Sequence, residues 1–262
     1  MQRLAVEQRR KKFEKDGFIV VEDLLTPTEL RGLKRRVAQI GNGKLKHVPE
    51  DRFEVEPAVA SGKVKAKSGI ESLRKINNLT DYDEVFLATA KNPKILDVVE
   101  ELLGPNIMVF GDQFFVKPAK IGVEKPYHQD HAYFFVEPKN IVTCWIALED
   151  ATVENGCLHF IPGSHRVGLI DHSEKWMVGD REDMQVPESA IDLSKEVAAP
   201  LKSGSASFHH SMILHKSGPN KSPHPRWGWA ISYMSSDSTW AGPPGKKPKY
   251  RLVRGKAFRG KV

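Results

Sequence analysis

In two segments of roughly the first hundred residues, the apolar residues recur at helical spacing. In the first segment they fall three or four residues apart between positions 30 and 40. Residues 26–29 (TPTE), which precede this segment, indicate a capping box with proline at the first helical position. This pattern predicts a helix that ends near residue 41. A second helix is predicted to begin at the Asn-Pro pair of residues 92–93 and to end at the Gly-Pro pair of residues 104–105.

From residue 106 onward the pattern changes to short extended runs. They are rich in β-branched and aromatic residues and are separated by Gly, Pro and Asn-Gly turns, and a similar run, residues 17–21, precedes the first helix. Helices followed by many short strands predict a β-sandwich or barrel core buttressed by N-terminal helices. The strands predicted after residue 106 are 107–110, 113–117, the stretch around His128, 141–148, 157–161, 205–208 and 227–234.

Two long segments lack a periodic pattern. Residues 42–70 are polar and rich in lysine, and we expect a long loop or an insertion there. Residues 166–200 alternate in charge with few apolar anchors, as expected of an insertion that lies over the mouth of a barrel. Asn155-Gly156 is the strongest hairpin signal in the chain, and it predicts that strand 141–148 pairs with strand 157–161.

Length and composition place the chain among ordinary globular proteins. With 262 residues, of which 40% are hydrophobic and 28% charged, one domain around a single large core is expected. We divide it into N-terminal helices (about 1–104), a strand core (about 105–240) and a basic tail (241–262). No apolar run is long enough to span a membrane, and residues 1–15 are charged, so a cytoplasmic location is expected.

Cysteine content and charge narrow the classes of function. Cys144 and Cys157 belong to no Cys-x-x-Cys pattern and are expected to be buried thiols, not a disulfide or a thiolate metal site. The net charge of +7 suggests binding to nucleic acid. However, residues 243–262 contain eight basic residues and no acidic one, so the rest of the chain is about neutral. We expect a solvated tail, with attraction of an anionic substrate or polymer as the alternative.

The candidate chemistry centres on residues 127–131 (YHQDH). If this stretch is extended, His128 and Asp130 point to one side and Gln129 to the other. Two such ligands and one distant histidine would form the facial triad that binds Fe(II) and leaves the remaining coordination positions open. The pattern alone is weak evidence, since residues 172–174 (HSE) repeat it within the predicted insertion.

The third ligand has several candidates, of which His215 is the best placed. It lies where an apolar run meets a turn, which suits a ligand at the rim of a barrel. Arg226 begins the next predicted strand, and a guanidinium facing the same pocket would bind a carboxylate through two parallel hydrogen bonds, which lysine cannot reproduce. We expect His165 to be structural. The histidines that remain as alternatives to His215 are His159, His165, His209, His210 and His224.

Several motifs, taken in order, resemble the phytanoyl-CoA dioxygenase family. The likeness extends from about Phe13 to Trp240, and it includes residues 74–79 (RKINNL) and the helix end at residues 103–105 (LGP). An ordered set of this kind is far more specific than any one motif. The motifs are His128-x-Asp130, residues 145–151 (WIALEDA), residues 154–158 (ENGCL), residues 161–165 (IPGSH), and His215-x-Ser217 followed by Arg226.

The resemblance implies a fold and a set of site residues. The family consists of non-haem Fe(II)- and 2-oxoglutarate-dependent oxygenases, so the chain is expected to be mainly β with flanking α-helices, and its core a double-stranded β-helix (a cupin-like jelly roll). It implies that His128, Asp130 and His215 bind iron. It further implies that Arg226 and Ser217 hold the distal carboxylate of 2-oxoglutarate. The positions that match the rest of the cosubstrate pocket are Lys75, Gln113 and Trp145.

The activity implied by the resemblance is hydroxylation. Halogenases of this fold have a small residue at the position of Asp130, so a carboxylate there favours hydroxylation of an unactivated C–H bond, with decarboxylation of 2-oxoglutarate to succinate and CO₂. The implied cofactors are Fe(II), 2-oxoglutarate and O₂, with ascorbate as an optional addition. A small or medium organic substrate is the expected partner, with neither a membrane nor a nucleic acid. The alternatives are a non-catalytic cupin-like ligand-binding protein and nucleic-acid binding through the basic tail.

Overall fold

The structure, a computed structural model, describes residues 6–178 and 181–262 and consists mostly of strands. Its helices are α1 (Val6–Asp16), α2 (Pro27–Gly41), α3 (Pro57–Ala60), α4 (Leu79–Tyr82), α5 (Glu84–Ala90) and α6 (Pro93–Leu103). The strands are β1 (Phe18–Val21), β2 (Phe53–Val55), β3 (Leu73–Asn77), β4 (Ile107–Lys117), β5 (Lys125–His128), β6 (Val136–Glu137), β7 (Ile141–Ala147), β8 (Leu158–Phe160), β9 (Glu174–Val178), β10 (Arg181–Gln185), β11 (Val197–Ala199), β12 (Ala206–His210), β13 (His215–Ser217), β14 (Arg226–Ser235), β15 (Thr239–Trp240) and β16 (Arg251–Arg254).

The strands form two principal sheets. The larger has eight strands in the order β1-β12-β7-β14-β4-β3-β2, with β16 also paired to β4. The smaller has four strands in the order β11-β8-β13-β5, and β9–β10 and β6–β15 form separate two-stranded ribbons. The pairings within both principal sheets are antiparallel. The fold is the double-stranded β-helix with flanking helices that the resemblance implied.

The two predicted helices form where their local signals place them. Thr26 and Glu29 make both reciprocal bonds of the capping box at the start of α2, and the apolar stripe of that helix is buried. At the start of α6, the Asn92 side chain accepts a hydrogen bond from the backbone of Lys94, and Gly104 ends the helix with a φ of 92°. These helix ends depend on neighbouring residues alone, so the sequence predicts them well.

Each principal sheet contributes one wall of the interior. The outer face of the larger sheet packs against the helices, with Phe86 of α5 in edge contact with Phe114 and Trp229. Its inner face opposes the smaller sheet, where Trp145 and Phe160 belong to a second apolar cluster. Cys144 and Cys157 are buried free thiols, as predicted. The space between the two sheets is where the candidate site lies.

Three predictions about the strands were wrong. Residues 107–117 form one continuous strand, because Asp112, which suggests a break, is buried and accepts hydrogen bonds from Thr80 and the Trp229 indole. Residues 42–70 contain β2 and α3, and β2 pairs with β3 at the sheet edge. A three-residue strand is too short to show a periodic pattern. The division into helices first and strands afterwards is also incomplete, since β2 and β3, besides the predicted strand β1, precede residue 104.

The Asn155-Gly156 turn does not form the predicted hairpin. Strand β7 pairs with β12 and β14 in the larger sheet, whereas β8 pairs with β11 and β13 in the smaller one. The turn therefore carries the chain from one sheet to the other. Gly156 has a φ of 85°, and a β-carbon there would lie 2.3 Å from the carbonyl oxygen of Gly218, so this position excludes a side chain.

Most of residues 241–262 are exposed, as expected of a solvated tail, but the prediction is wrong for the few residues that pack on the core. Strand β16 pairs with β4, and the ring of Tyr250 stacks on Phe110 with centroids 5.6 Å apart. Val262 is buried against the same apolar cluster. The tail packs here because its few apolar residues meet the open edge of β4, a contact that its basic composition conceals.

Candidate active site

The smaller sheet brings the two predicted imidazole ligands face to face. His128 ends β5 and His215 begins β13, and the two residues are direct partners across the antiparallel pair. Asp130 lies in a turn of 3-10 helix, not in the predicted strand, but the intervening Gln129 is extended (φ −111°, ψ 128°), so Asp130 still faces the side of His128. The potential ligand atoms of the three residues all lie within 4.8 Å of one another.

The neighbouring backbone sets the tautomer of both imidazoles. Nδ1 of His128 is 2.8 Å from the carbonyl oxygen of Pro126, and Nδ1 of His215 is 3.1 Å from that of Ile213. A carbonyl oxygen only accepts, so Nδ1 carries the proton in each ring and the Nε2 lone pair is free to bind a metal. Both Nε2 atoms point at Asp130 Oδ1, at 3.5 and 3.6 Å.

Burial and charge favour neutral imidazoles beside an ionised carboxylate. Burial lowers the pKa of His128, and it lowers the pKa of His215 well below its usual value. Burial opposes ionisation of Asp130, but the surrounding side chains of His215, His128 and His209 outweigh it, so the pKa of Asp130 lies well below its usual range. Near neutral pH the cluster offers two uncharged nitrogens and one negative oxygen, a donor set suited to a divalent transition metal.

Arg226 is a buried cation at the first position of β14. It is 2% exposed, and among the described residues no carboxylate lies within ion-pair distance of it. Nη2 donates to the carbonyl oxygen of Gly156 at 3.0 Å, the guanidinium carbon lies 5.1 Å from the Trp145 ring, and Nε has no partner in the described part of the chain. Burial lowers the pKa of Arg226 to about 9, so the group is charged at neutral pH. A buried charge of this kind favours binding of an anion.

One cavity of about 410 Å³ joins these groups. It is lined by every residue that the sequence analysis assigned to a site, including Lys75, Gln113, Trp145 and Ser217. Lys75 forms an ion pair with Glu54 at 3.0 Å, and the Gln113 amide donates to Asn77 at 3.3 Å. The structure therefore brings together residues that the sequence spreads over more than half of the chain.

The other candidate histidines have different neighbours. His165 Nε2 is 3.1 Å from the carbonyl oxygen of Glu14, so it joins the turn after β8 to helix α1, and His224 is exposed. His172, in the predicted insertion, accepts a hydrogen bond from the backbone of Gln129 at 2.8 Å. His210 accepts from the backbone of Met212. None of these four belongs to the triad cluster.

His159 belongs to a polar network on the outside of the smaller sheet. Its Nδ1 lies 2.8 Å from Glu196 Oε1, and Tyr127 and Lys216 donate to the other oxygen of the same carboxylate. Burial opposes ionisation of Glu196, but the hydrogen bonds from Lys216, Tyr127 and His159 outweigh it and lower the pKa of Glu196 to about 2. This network supports the strand that carries His215.

Several cavity residues were not assigned to the site from the sequence, although His209 was among the alternatives to His215 as the third ligand. Thr143 and His209, on neighbouring strands of the larger sheet, lie beside Asp130. Asp183 of β10 lies 2.7 Å from Lys125, so the insertion at 166–200 does reach the cavity, as expected. Tyr250 comes from the segment interpreted as a tail. None had a local signal, because each reaches the cavity only through long-range strand pairing.

A double-stranded β-helix with a buried cluster of two histidines and one aspartate defines the class of mononuclear non-haem iron oxygenases. A profile of the phytanoyl-CoA dioxygenase (PhyH) family matches residues 13–228. The chain belongs to this family, and it is an oxygenase. None of its described helices is long and apolar enough to cross a bilayer.

Relatives in animals match over most of the chain. The phytanoyl-CoA dioxygenase domain-containing protein 1 of Danio rerio is 30% identical over 267 residues, covering 89% of this chain and 91% of that protein. A probable phytanoyl-CoA dioxygenase of Caenorhabditis elegans is 29% identical over 242 residues, covering 89% and 76%. The peroxisomal phytanoyl-CoA dioxygenase of Homo sapiens is 28% identical over 239 residues, covering 89% and 69%.

Solved structures with lower identity share the fold. EctD from S. alaskensis in its apoform has a TM-score of 0.74 at 23% identity, with 94% of this chain and 82% of that chain covered. The epimerase SnoN in complex with Fe³⁺, alpha ketoglutarate and nogalamycin RO has a TM-score of 0.72 at 20% identity, with 95% and 98% covered. At these identities the likeness extends to the architecture alone.

Proposed function

We propose that the protein is an Fe(II)- and 2-oxoglutarate-dependent oxygenase that hydroxylates an unactivated C–H bond of a small or medium organic substrate. The observation that carries this proposal is the cluster of His128, Asp130 and His215 in one cavity with the buried guanidinium of Arg226, which has no carboxylate partner among the described residues. 2-Oxoglutarate would be decarboxylated to succinate and CO₂. The family membership supports the class of reaction, and the positions of the side chains support their individual roles.

The donor set fits iron(II). Two neutral imidazoles and one carboxylate on one side of a divalent ion leave positions on the other side for further ligands. In this proposal His128 and His215 bind through Nε2, and Asp130 binds through Oδ1, the oxygen that both imidazoles face. Bound iron with its cosubstrate supplies the activation of O₂ that a C–H bond of this kind requires.

The Arg226 pocket fits a carboxylate. Its unpartnered Nε and its charge would bind the distal carboxylate of 2-oxoglutarate, with the Ser217 hydroxyl as a second donor. Trp145 holds the guanidinium from one side, and Lys75 and Gln113 line the remainder of the cosubstrate space. The low dielectric of this buried site strengthens each of these interactions relative to water.

The remaining wall of the cavity faces the space that the substrate would occupy. Phe110, Phe134 and Tyr250 form an aromatic group, with ring centroids 4.3 and 5.6 Å from the central Phe110. Such a wall favours a substrate with an apolar part. A carboxylate at position 130 occupies the space that a halide would need, which favours hydroxylation over halogenation.

The test is conversion of 2-oxoglutarate to succinate by the full chain supplied with Fe(II) and O₂. His128→Ala, Asp130→Ala and His215→Ala are each expected to abolish both iron binding and succinate formation, because each removes one of three ligands. His224→Ala, which changes an exposed histidine outside the cavity, is the matched control and should behave as the parent. Parental succinate formation in any of the three ligand variants would refute the proposed iron site.

A further inference from the structure

The two oxygens of the Asp130 carboxylate have different surroundings. Oδ1 faces the Nε2 atoms of His128 and His215, at 3.5 and 3.6 Å. Oδ2 faces the larger sheet instead, where the Thr143 hydroxyl donates to it at 3.2 Å and His209 Nε2 lies 3.6 Å away. Oδ1 is therefore the oxygen that lies near the two imidazoles, whereas Oδ2 contacts the side chains of the opposite sheet.

His209 and Thr143 reach Oδ2 because β12 and β7 are paired in register. The two residues are direct cross-strand partners, and both side chains point from the larger sheet into the cavity. His209 is 2% exposed, and its ring lies 4.9 Å from the His215 ring and 5.3 Å from that of Phe160. The packing holds the imidazole beside the carboxylate. A shift of a few tenths of an ångström would bring Nε2 within ordinary hydrogen-bond distance.

The surroundings of the two ring nitrogens indicate which nitrogen of His209 carries the hydrogen. Nε2 faces a carboxylate oxygen, which can only accept, so Nε2 carries the hydrogen. Nδ1 is buried and has no partner among the described residues. A proton there would be a buried donor without an acceptor, which is costly. The geometry therefore directs an Nε2–H donor of His209 at Oδ2 of Asp130.

We propose that His209 and Thr143 are positioning residues that hold Oδ2 of Asp130 and so restrict this carboxylate to one ligating oxygen. The inference rests on the proposed function. A carboxylate released from these donors can turn and bind a metal through both oxygens, which occupies a position that the cosubstrate needs. The two donors thus keep the open side of the metal available, and their loss affects cosubstrate binding more than metal binding.

The test measures the two affinities separately on the full chain. Co(II) binding is followed by its visible absorption, and 2-oxoglutarate is then titrated onto the Co(II)-loaded protein without turnover. His209→Phe keeps a ring of similar size and removes the donor, whereas His209→Asn keeps a donor. Thr143→Val and Thr143→Ser form the same pair at the second position. His210→Asn, a change in the neighbouring histidine of β12 that does not line the cavity, is the matched control.

The variants without a donor should retain the Co(II) affinity within about threefold, because all three ligands remain. They should weaken 2-oxoglutarate binding about 10- to 100-fold, the size of effect that loss of an outer-shell partner has on activity. The cobalt bands of the cosubstrate-free protein should also differ from those of the parent. His209→Asn, Thr143→Ser and His210→Asn should match the parent in both affinities.

Equal 2-oxoglutarate affinity in the parent and in His209→Phe and Thr143→Val would overturn the inference and leave the proposed function intact. A role for His209 in packing alone predicts the reverse order, with Asn worse than Phe. If His209→Phe does not fold, the Thr143 pair and His209→Asn decide the question. A parent that takes up no Co(II) would remove the proposed function and this inference together.

Discussion

Replacing Arg226 by methionine should separate cosubstrate binding from stability. The guanidinium is 2% exposed, and one of its NH₂ groups is already bonded to the carbonyl oxygen of Gly156. The remaining donors can make two hydrogen bonds to a carboxylate, each of which contributes about 1.5–3 kcal/mol. Loss of both raises the dissociation constant of 2-oxoglutarate by at least about 100-fold, since each factor of ten corresponds to about 1.4 kcal/mol.

The stability of the ligand-free protein should change little or rise, because methionine removes a buried charge that no described carboxylate neutralises. At 2-oxoglutarate concentrations about 100 times the parent's dissociation constant, ligand binding stabilises the parent by about 2.7 kcal/mol. For a chain of this size that corresponds to a rise in Tm of about 5–11 °C. With an affinity 100-fold weaker, the same concentration stabilises the variant by only about 0.4 kcal/mol, or about 1 °C.

The assay is thermal unfolding of the Mn(II)-loaded protein with and without 2-oxoglutarate. Arg74→Met is the matched control, since Arg74 is also buried and lines the same cavity but lies 3.8 Å from Asp183. It should keep the parental rise in Tm on addition of 2-oxoglutarate. Arg226→Lys should fall between parent and methionine variant, because it keeps the charge and loses the planar fork. A parental rise in Tm in Arg226→Met would refute the assignment of this residue to the cosubstrate.

Three further predictions concern positions around the site. Gly228→Ala places a β-carbon 2.1 Å from the Trp145 ring, so the ring must shift. The affinity for 2-oxoglutarate should then fall about tenfold, with the metal affinity unchanged. Gly32→Ala, with open space around it, should alter neither affinity. Glu196→Gln should reduce the loss of stability that the parent shows between about pH 4.5 and 2, because a carboxyl with a lowered pKa stabilises the fold above its unfolded pKa. The variant should be about 1 kcal/mol less stable than the parent at pH 7. Urea unfolding at several pH values measures this, and parallel curves of stability against pH for parent and variant would contradict it. Tyr250→Ala should lower Tm and leave metal and 2-oxoglutarate affinities unchanged, and a loss of either affinity in titration would contradict its place on the substrate side.

The sequence predicts features that depend on neighbouring residues. The capping box of α2 and the Asn-Pro start of α6 are local, and both helices form where expected. The sequence also predicts the triad cluster, because His128 and Asp130 are two residues apart and His215 belongs to a motif with Ser217.

Features set by strand pairing could not be predicted from a single sequence. Asn155-Gly156 favours a hairpin locally, but the pairing of β7 with β12 and β14 leaves β8 to the other sheet. His209 lies beside Asp130 only because it is in register with Thr143, and register is determined by contacts between distant segments. The contact of Tyr250 with Phe110 likewise depends on the pairing of the distant strands β16 and β4, and the basic residues around Tyr250 give no sign of it.

The inner face of β14 suggests how the size of the cavity is determined. Past Arg226, the alternate residues of this strand are Gly228, Ala230 and Ser232, whereas the opposite face carries Trp229, Ile231 and Tyr233 in the packed interior. Ala230 and Ser232 line the cavity with small side chains, and the Trp145 ring lies directly over Gly228. A larger side chain at Ala230 or Ser232 would shorten the chamber, but it would also meet the site. Ala230 pairs across the strands with Gln113 and Trp145, and the Ser232 hydroxyl lies 3.0 Å from that of Thr143. The length of molecule that fits the cavity is therefore coupled to the side chains proposed to hold the cosubstrate and Asp130.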